Sequence, residues 1–138
     1  MRKLSTLLLF LLLSGVSSAS PPKHFSATYL CKETISNPYA GNKILQDNET
    51  FILSGKIVMI IPESSVVAQH ENVTVRLACH VGEYEKYGPS VELPGISENQ
   101  LLSLRAGQTR EFLVHYTGNH FSSGDNFILG NFTGKLVK

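Results

Sequence analysis

Apolar side chains at every second position over residues 72–81 constrain this chain more than any other feature. Val73, Val75, Leu77, Cys79 and Val81 share one parity, with Thr74, Arg76 and His80 on the other. A period of two marks a strand with one face in a core and one towards water. The same alternation runs through Phe25, Ala27, Tyr29 and Cys31. It returns in Phe112, Val114 and Tyr116, set against Glu111, Leu113 and His115. Residues 51–61 are apolar at both parities in their second half. That predicts a central strand covered on both faces, ended by Pro62, with Gly55 at a bulge or bend. Residues 126–137 hold Phe127, Ile128, Leu129, Phe132, Leu136 and Val137, divided by Gly130 and Gly134. They predict one kinked strand or two short ones.

Turn residues separate these runs. Asn37-Pro38 and Gly41-Asn42 break the stretch after the first strand. Gly88-Pro89 and Pro94-Gly95 bracket an edge segment at 90–93, and residues 106–108 join 101–105 to 109–117. Ser97 and Gln100 fit a capping box, but only about two helical turns fit before Gly107. A short strand is therefore the expectation for 101–105. Regular spacing with Gly and Pro punctuation predicts an all-β fold. The expected form is an antiparallel β-sandwich of about seven strands, one domain over residues 25–138.

Residues 72–81, a Gly/Pro-rich excursion, and the run Leu-Ser-Leu-Arg-Ala-Gly-Gln-Thr-Arg-Glu-Phe-Leu-Val-His-Tyr at 102–116 resemble immunoglobulin-like sandwiches of extracellular proteins. A short strand, an Ala-Gly turn and a long aromatic strand carry the likeness, which implies that fold in broad form. Antibody-type domains pack a buried Trp on their disulfide. This chain has no Trp, so no binding residue is carried over.

The N-terminus sets the compartment. Arg2 and Lys3 precede an unbroken apolar run at 7–13, and Ser17-Ser18-Ala19 supplies small residues for cleavage after Ala19. This is the layout of a secretory signal peptide over residues 1–19, followed by an extended lead-in at 20–24. The expected location is periplasmic or secreted. The apolar run is too short to span a bilayer and no second one follows. Without Arg2 and Lys3 the chain holds 10 basic against 11 acidic side chains. A near-neutral surface without a basic run points away from nucleic acid. In an oxidising compartment the two cysteines, Cys31 and Cys79, are expected to form a disulfide.

Candidate chemistry is sparse. Cys79-His80 and His115-x4-His120 invite a metal, but adjacent strand residues face opposite ways, and no cofactor is expected. His24, His80 or His115 could act as a base, yet no Gly-x-Ser-x-Gly motif supplies a nucleophile. Tyr84 and Tyr87, between Gly82 and Gly88-Pro89, combine apolar area with hydrogen-bonding capacity. With Tyr39 and Phe121 they form the candidate interaction surface. Sequons begin at Asn48, Asn72 and Asn131 and matter only in a eukaryotic exporter. The leading expectation is an exported, non-enzymatic binding or envelope-accessory module whose partner is another protein. The alternative is a small-ligand or metal carrier, a small β-barrel or cupped sheet with a cavity lined by Ile57, Met59, Ile61 and Phe112. A secreted enzyme comes third.

Overall fold

The computed structural model describes residues 20–63, 72–81, 88–118, 121–123, 126–128 and 130–137. In chain order the elements are β1 (His24–Ser26), α1 (Ala27–Ser36), α2 (Pro38–Asp47), β2 (Thr50–Glu63), β3 (Asn72–Leu77), β4 (Ser90–Leu93), α3 (Glu98–Ser103), β5 (Thr109–Gly118), β6 (Phe121–Ser123), β7 (Asn126–Ile128) and β8 (Asn131–Leu136). The signal-peptide reading of residues 1–19 lies outside the described residues.

The long strand β2 decides the architecture. Its first half, from Thr50 to Lys56, pairs antiparallel with β5, and its second half, from Ile57 to Glu63, pairs antiparallel with β3. One strand thus belongs to two parts of the sheet. Gly55 sits at the changeover, where a Cβ would come within 3.1 Å of both Ala27 and Leu77. The register slips between Ile57 and Met59, and such a bulge bends a strand and sharpens its twist. The ladder continues from β3 to β4, then to β8 and β5, and back to β2. It closes.

The result is a five-stranded barrel with β1 added in parallel to β2. β2, β3 and β4 form a meander and β5 returns beside β2, which is a Greek key. β8 fills the remaining gap, antiparallel to β5 and parallel to β4. This corrects the expected β-sandwich and its immunoglobulin-like form: a sandwich needs two separate sheets, and here β2 joins both flanks into one ring. Within the stretch that carried the likeness, 102–103 belong to α3 rather than to a strand. Residues 90–93 are likewise not an edge, because β3 and β8 cover both sides of β4. Pro62 does not end β2. It pairs with Val73 one residue before the strand stops.

Three segments whose pattern favours strand or turn are helices. Residues 27–36 form α1 because Ala27, Leu30, Cys31 and Thr34 are the buried set, at helical spacing. The Ser26 hydroxyl caps the helix by accepting from the Tyr29 N–H at 3.0 Å. Asn37 caps α2, with Pro38 in its first turn, where the missing N–H costs nothing. α3 carries both halves of the capping box: Ser97 Oγ accepts from Gln100 N–H at 3.2 Å, and Ser97 N–H donates to Gln100 Oε1 at 3.4 Å. These local bonds outweigh the length argument for a strand.

The core fills the barrel. Phe51, Phe112, Phe132, Leu53, Ile57, Val75, Leu77 and Leu93 are fully buried or nearly so. Phe51 meets Phe25 and Phe132 edge-on, with ring centroids 5.3 and 5.8 Å apart. Tyr116 packs on Phe132 at 5.4 Å, and its partial burial raises the phenol pKa above 10.0. Ala27, Leu30 and Cys31 of α1 belong to the same core.

The expected disulfide is present: Cys31 and Cys79 are bonded with Cα atoms 5.7 Å apart. Neither cysteine lies on a strand. Cys31 is on α1 and Cys79 follows β3, so the bond ties the helical layer to the segment leaving the barrel wall.

Candidate functional site

Side chains on β3, β4 and β8 alternate between the core and the outer wall. Val73, Val75, Val91, Leu93 and Phe132 point inward and are buried. Thr74, Arg76, Glu92 and Asn131 take the other parity, as does Ser90. The register aligns them. Arg76 lies opposite Ser90, and Ser90 opposite Asn131, in one row across three strands. Two residues along, Thr74, Glu92 and Thr133 form the next row.

At the end of β5 the register shifts between Tyr116 and Gly118. Thr117 Oγ1 there donates to the Asn131 carbonyl at 2.7 Å, which leaves the Thr117 oxygen lone pairs available. The outer wall between these strands is a cleft of about 340 Å³, lined by Thr74, Arg76, Ser90, Glu92, Thr117 and Asn131, with Phe132 beside them.

The cleft is polar and carries both signs of charge. Arg76 and Asn131 offer N–H donors, Glu92 offers a carboxylate, and the hydroxyls serve either way. Arg76 Nε is buried and has no hydrogen-bond partner among the described residues. A buried donor left unmade costs roughly 1–3 kcal/mol, more on a charged group.

A second, more open groove of about 430 Å³ runs against the helices, lined by Lys23, Phe25, Glu33, Lys43, Ile44 and Asn48 among others. Lys43 and Asp47 form an exposed ion pair along its rim at 3.1 Å. Such a pair contributes little to stability. Tyr39, at the start of α2, is 86% exposed, and Tyr29 stacks on Phe25 with centroids 6.0 Å apart.

The residues singled out from sequence are scattered. Tyr84 and Tyr87 lie outside the described residues. Phe121 opens β6, which pairs with β7, and Tyr39 stands on α2. Among the sequon asparagines, Asn48 caps the C-terminal end of α2, its amide donating to the Ile44 carbonyl at 2.7 Å. Asn72 begins β3 and Asn131 begins β8.

The carrier's residues do not converge. Ile57 and Phe112 are fully buried in the filled core, whereas Met59 is 48% exposed. The slip between Ile57 and Met59 reverses the parity, so Ile60 rather than Met59 or Ile61 packs against the core. Cys79 is committed to the disulfide and cannot ligate a metal with His80. Among the described residues no group of three or more His, Cys, Asp or Glu could hold a metal ion. His24, His80 and His115 lie outside the cleft lining. Among the described residues no helix is long and apolar enough to cross a membrane.

The cleft residues were visible in sequence only as the polar parity of strands, and Asn131 only as a sequon. No protein-family model matches this chain, and no curated protein or solved structure matches it.

Proposed function

We propose that this protein is an exported, non-enzymatic binding module that takes part of another protein into the polar cleft on the outer face of β3, β4 and β8. The observation that carries this reading is the convergence of Arg76, Glu92, Ser90, Thr74, Thr117 and Asn131 on one concavity. A filled barrel offers ligands its outside. Five-stranded Greek-key barrels of the OB kind use the outer face of their second and third strands for binding. The second and third barrel strands here are β3 and β4, an analogy of fold that supports the place and not the ligand.

Charge speaks to the class of partner. A polyanion would meet Glu92 and an exported chain with 10 basic against 11 acidic side chains, which argues against oligonucleotides. Tyr84 and Tyr87 lie in the sequence between Arg76 and Ser90, which face each other across β3 and β4, and we keep these tyrosines in the proposed surface. Export is supported by the 1–19 segment and by the disulfide.

Site-directed photocrosslinking tests the reading. A benzoylphenylalanine at Thr74, in protein made by its own cells, should give one discrete protein adduct. The same probe at Gln46, exposed on α2, should not. Identical patterns from both positions, or no adduct from Thr74, would defeat the proposal.

A further inference from the structure

We propose that the Arg76–Ser90–Asn131 row is a carboxylate subsite that receives an acidic side chain of the protein partner. The inference rests on the binding-module reading and deepens it. Three groups able to donate stand side by side on neighbouring strands, since Arg76 faces Ser90 and Ser90 faces Asn131. Neighbouring strands lie about 4.7–4.9 Å apart, so Arg76 and Asn131 flank Ser90 at one strand spacing on either side, close enough for their polar ends to converge on one oxyanion over Ser90. Ser90 is only 6% exposed and lines the cleft. Arg76 Nε, buried beside it, has no acceptor among the described residues. Nε itself is closed off from the cleft, so the carboxylate is met by the part of the guanidinium that Arg76 brings to the cleft wall, where a guanidinium nitrogen and a carboxylate oxygen make a charge-assisted bond.

The neighbouring row restricts what carries that carboxylate. Glu92, between Thr74 and Thr133, lies two residues along β4 from Ser90, roughly 7 Å at strand rise. It accepts hydrogen bonds and repels anions. A backbone with a charge on every unit would press a further anion against Glu92. A peptide presents one carboxylate to Arg76 and an uncharged N–H donor to Glu92. The cleft therefore selects an isolated acidic side chain on an otherwise neutral stretch of chain.

Amide-resolved NMR titration of the folded protein tests this, with the capped peptide Ac-Gly-Asp-Gly-NH2 as probe. It should move the backbone signals of Arg76, Ser90 and Asn131 saturably. The isosteric Ac-Gly-Asn-Gly-NH2 should bind about tenfold more weakly, the factor expected for losing one charged hydrogen bond. Arg76→Gln should abolish the response. Arg76→Lys, which keeps the charge and removes the guanidinium, should weaken it and guards against misfolding of the first variant.

Equal affinity for the Asp and Asn peptides would overturn the proposal, as would an unchanged response in both folded variants. Tighter binding of inorganic phosphate or hexathymidylate at the same signals would overturn it too. No response to the Asp peptide, with the Thr74 adduct intact, would remove the carboxylate subsite and leave the binding module standing.

Discussion

At the scale of single residues, Gly41 shows how packing reverses a propensity. Alanine is about 1 kcal/mol better than glycine inside a helix, so Gly41→Ala on α2 would stabilise an isolated helix. Here Gly41 is buried against α1, and an added Cβ would run into Thr34 Oγ1 and lie 2.9 Å from the Thr34 Cα. The hydroxyl cannot simply swing aside, because it donates to the Leu30 carbonyl at 2.7 Å. The backbone contact remains whatever the side chain does, so the two helices must part. Overpacking of this kind costs about 1–3 kcal/mol. Gly41→Ala should therefore fail to stabilise the protein in urea unfolding and should lower its stability by up to about 2 kcal/mol once propensity is subtracted. A stabilised variant would show that the helices separate freely.

Among the elements, α3 is held by its ends. None of its residues from Glu98 to Ser103 is fully buried, and its apolar anchors are Leu104 at the C-cap and the half-buried Leu101. Removing the Ser97 hydroxyl leaves the Gln100 N–H without its cap, a loss of about 1 kcal/mol. Ser97→Ala should accelerate amide exchange within 98–104 while the β2 and β5 amides keep their protection. Uniform acceleration across the barrel would contradict this.

The same element marks where sequence reasoning stops. β2, β3 and β5 were legible because alternation is a local property of each strand. α1 was hidden because Phe25, Ala27, Tyr29 and Cys31 satisfy period two while Ala27, Leu30, Cys31 and Thr34 satisfy the helical period. Only the Ser26 cap separates the two readings. Asn37-Pro38 looked like a break and is a helix start. The cleft was less legible still. Arg76 and Asn131 are far apart in the chain, and only the pairings of β4 with β3 and β8 put them in one row. Register is a tertiary property, and no pattern within one strand reports it.

At the scale of the whole molecule, one covalent bond joins the helical layer to the barrel. Cys31 and Cys79 are separated by 48 residues and both are fully buried. Closing a loop of that length stabilises the fold by about 4 kcal/mol in the chain-entropy model. A Cys31→Ala, Cys79→Ala double variant should lose up to that amount in urea unfolding. Alkylation of the native, unreduced protein should label no thiol. A native protein with two reactive thiols would contradict the bond. The position of β8 has a kinetic consequence. It slots between β4 and β5 and, among the described residues, is the strand that bridges them. Without Asn131–Leu136, β4 and β5 would each lack a partner on the side that β8 occupies. Closure is then a late, long-range step, of the kind that slows folding and leaves strand edges exposed.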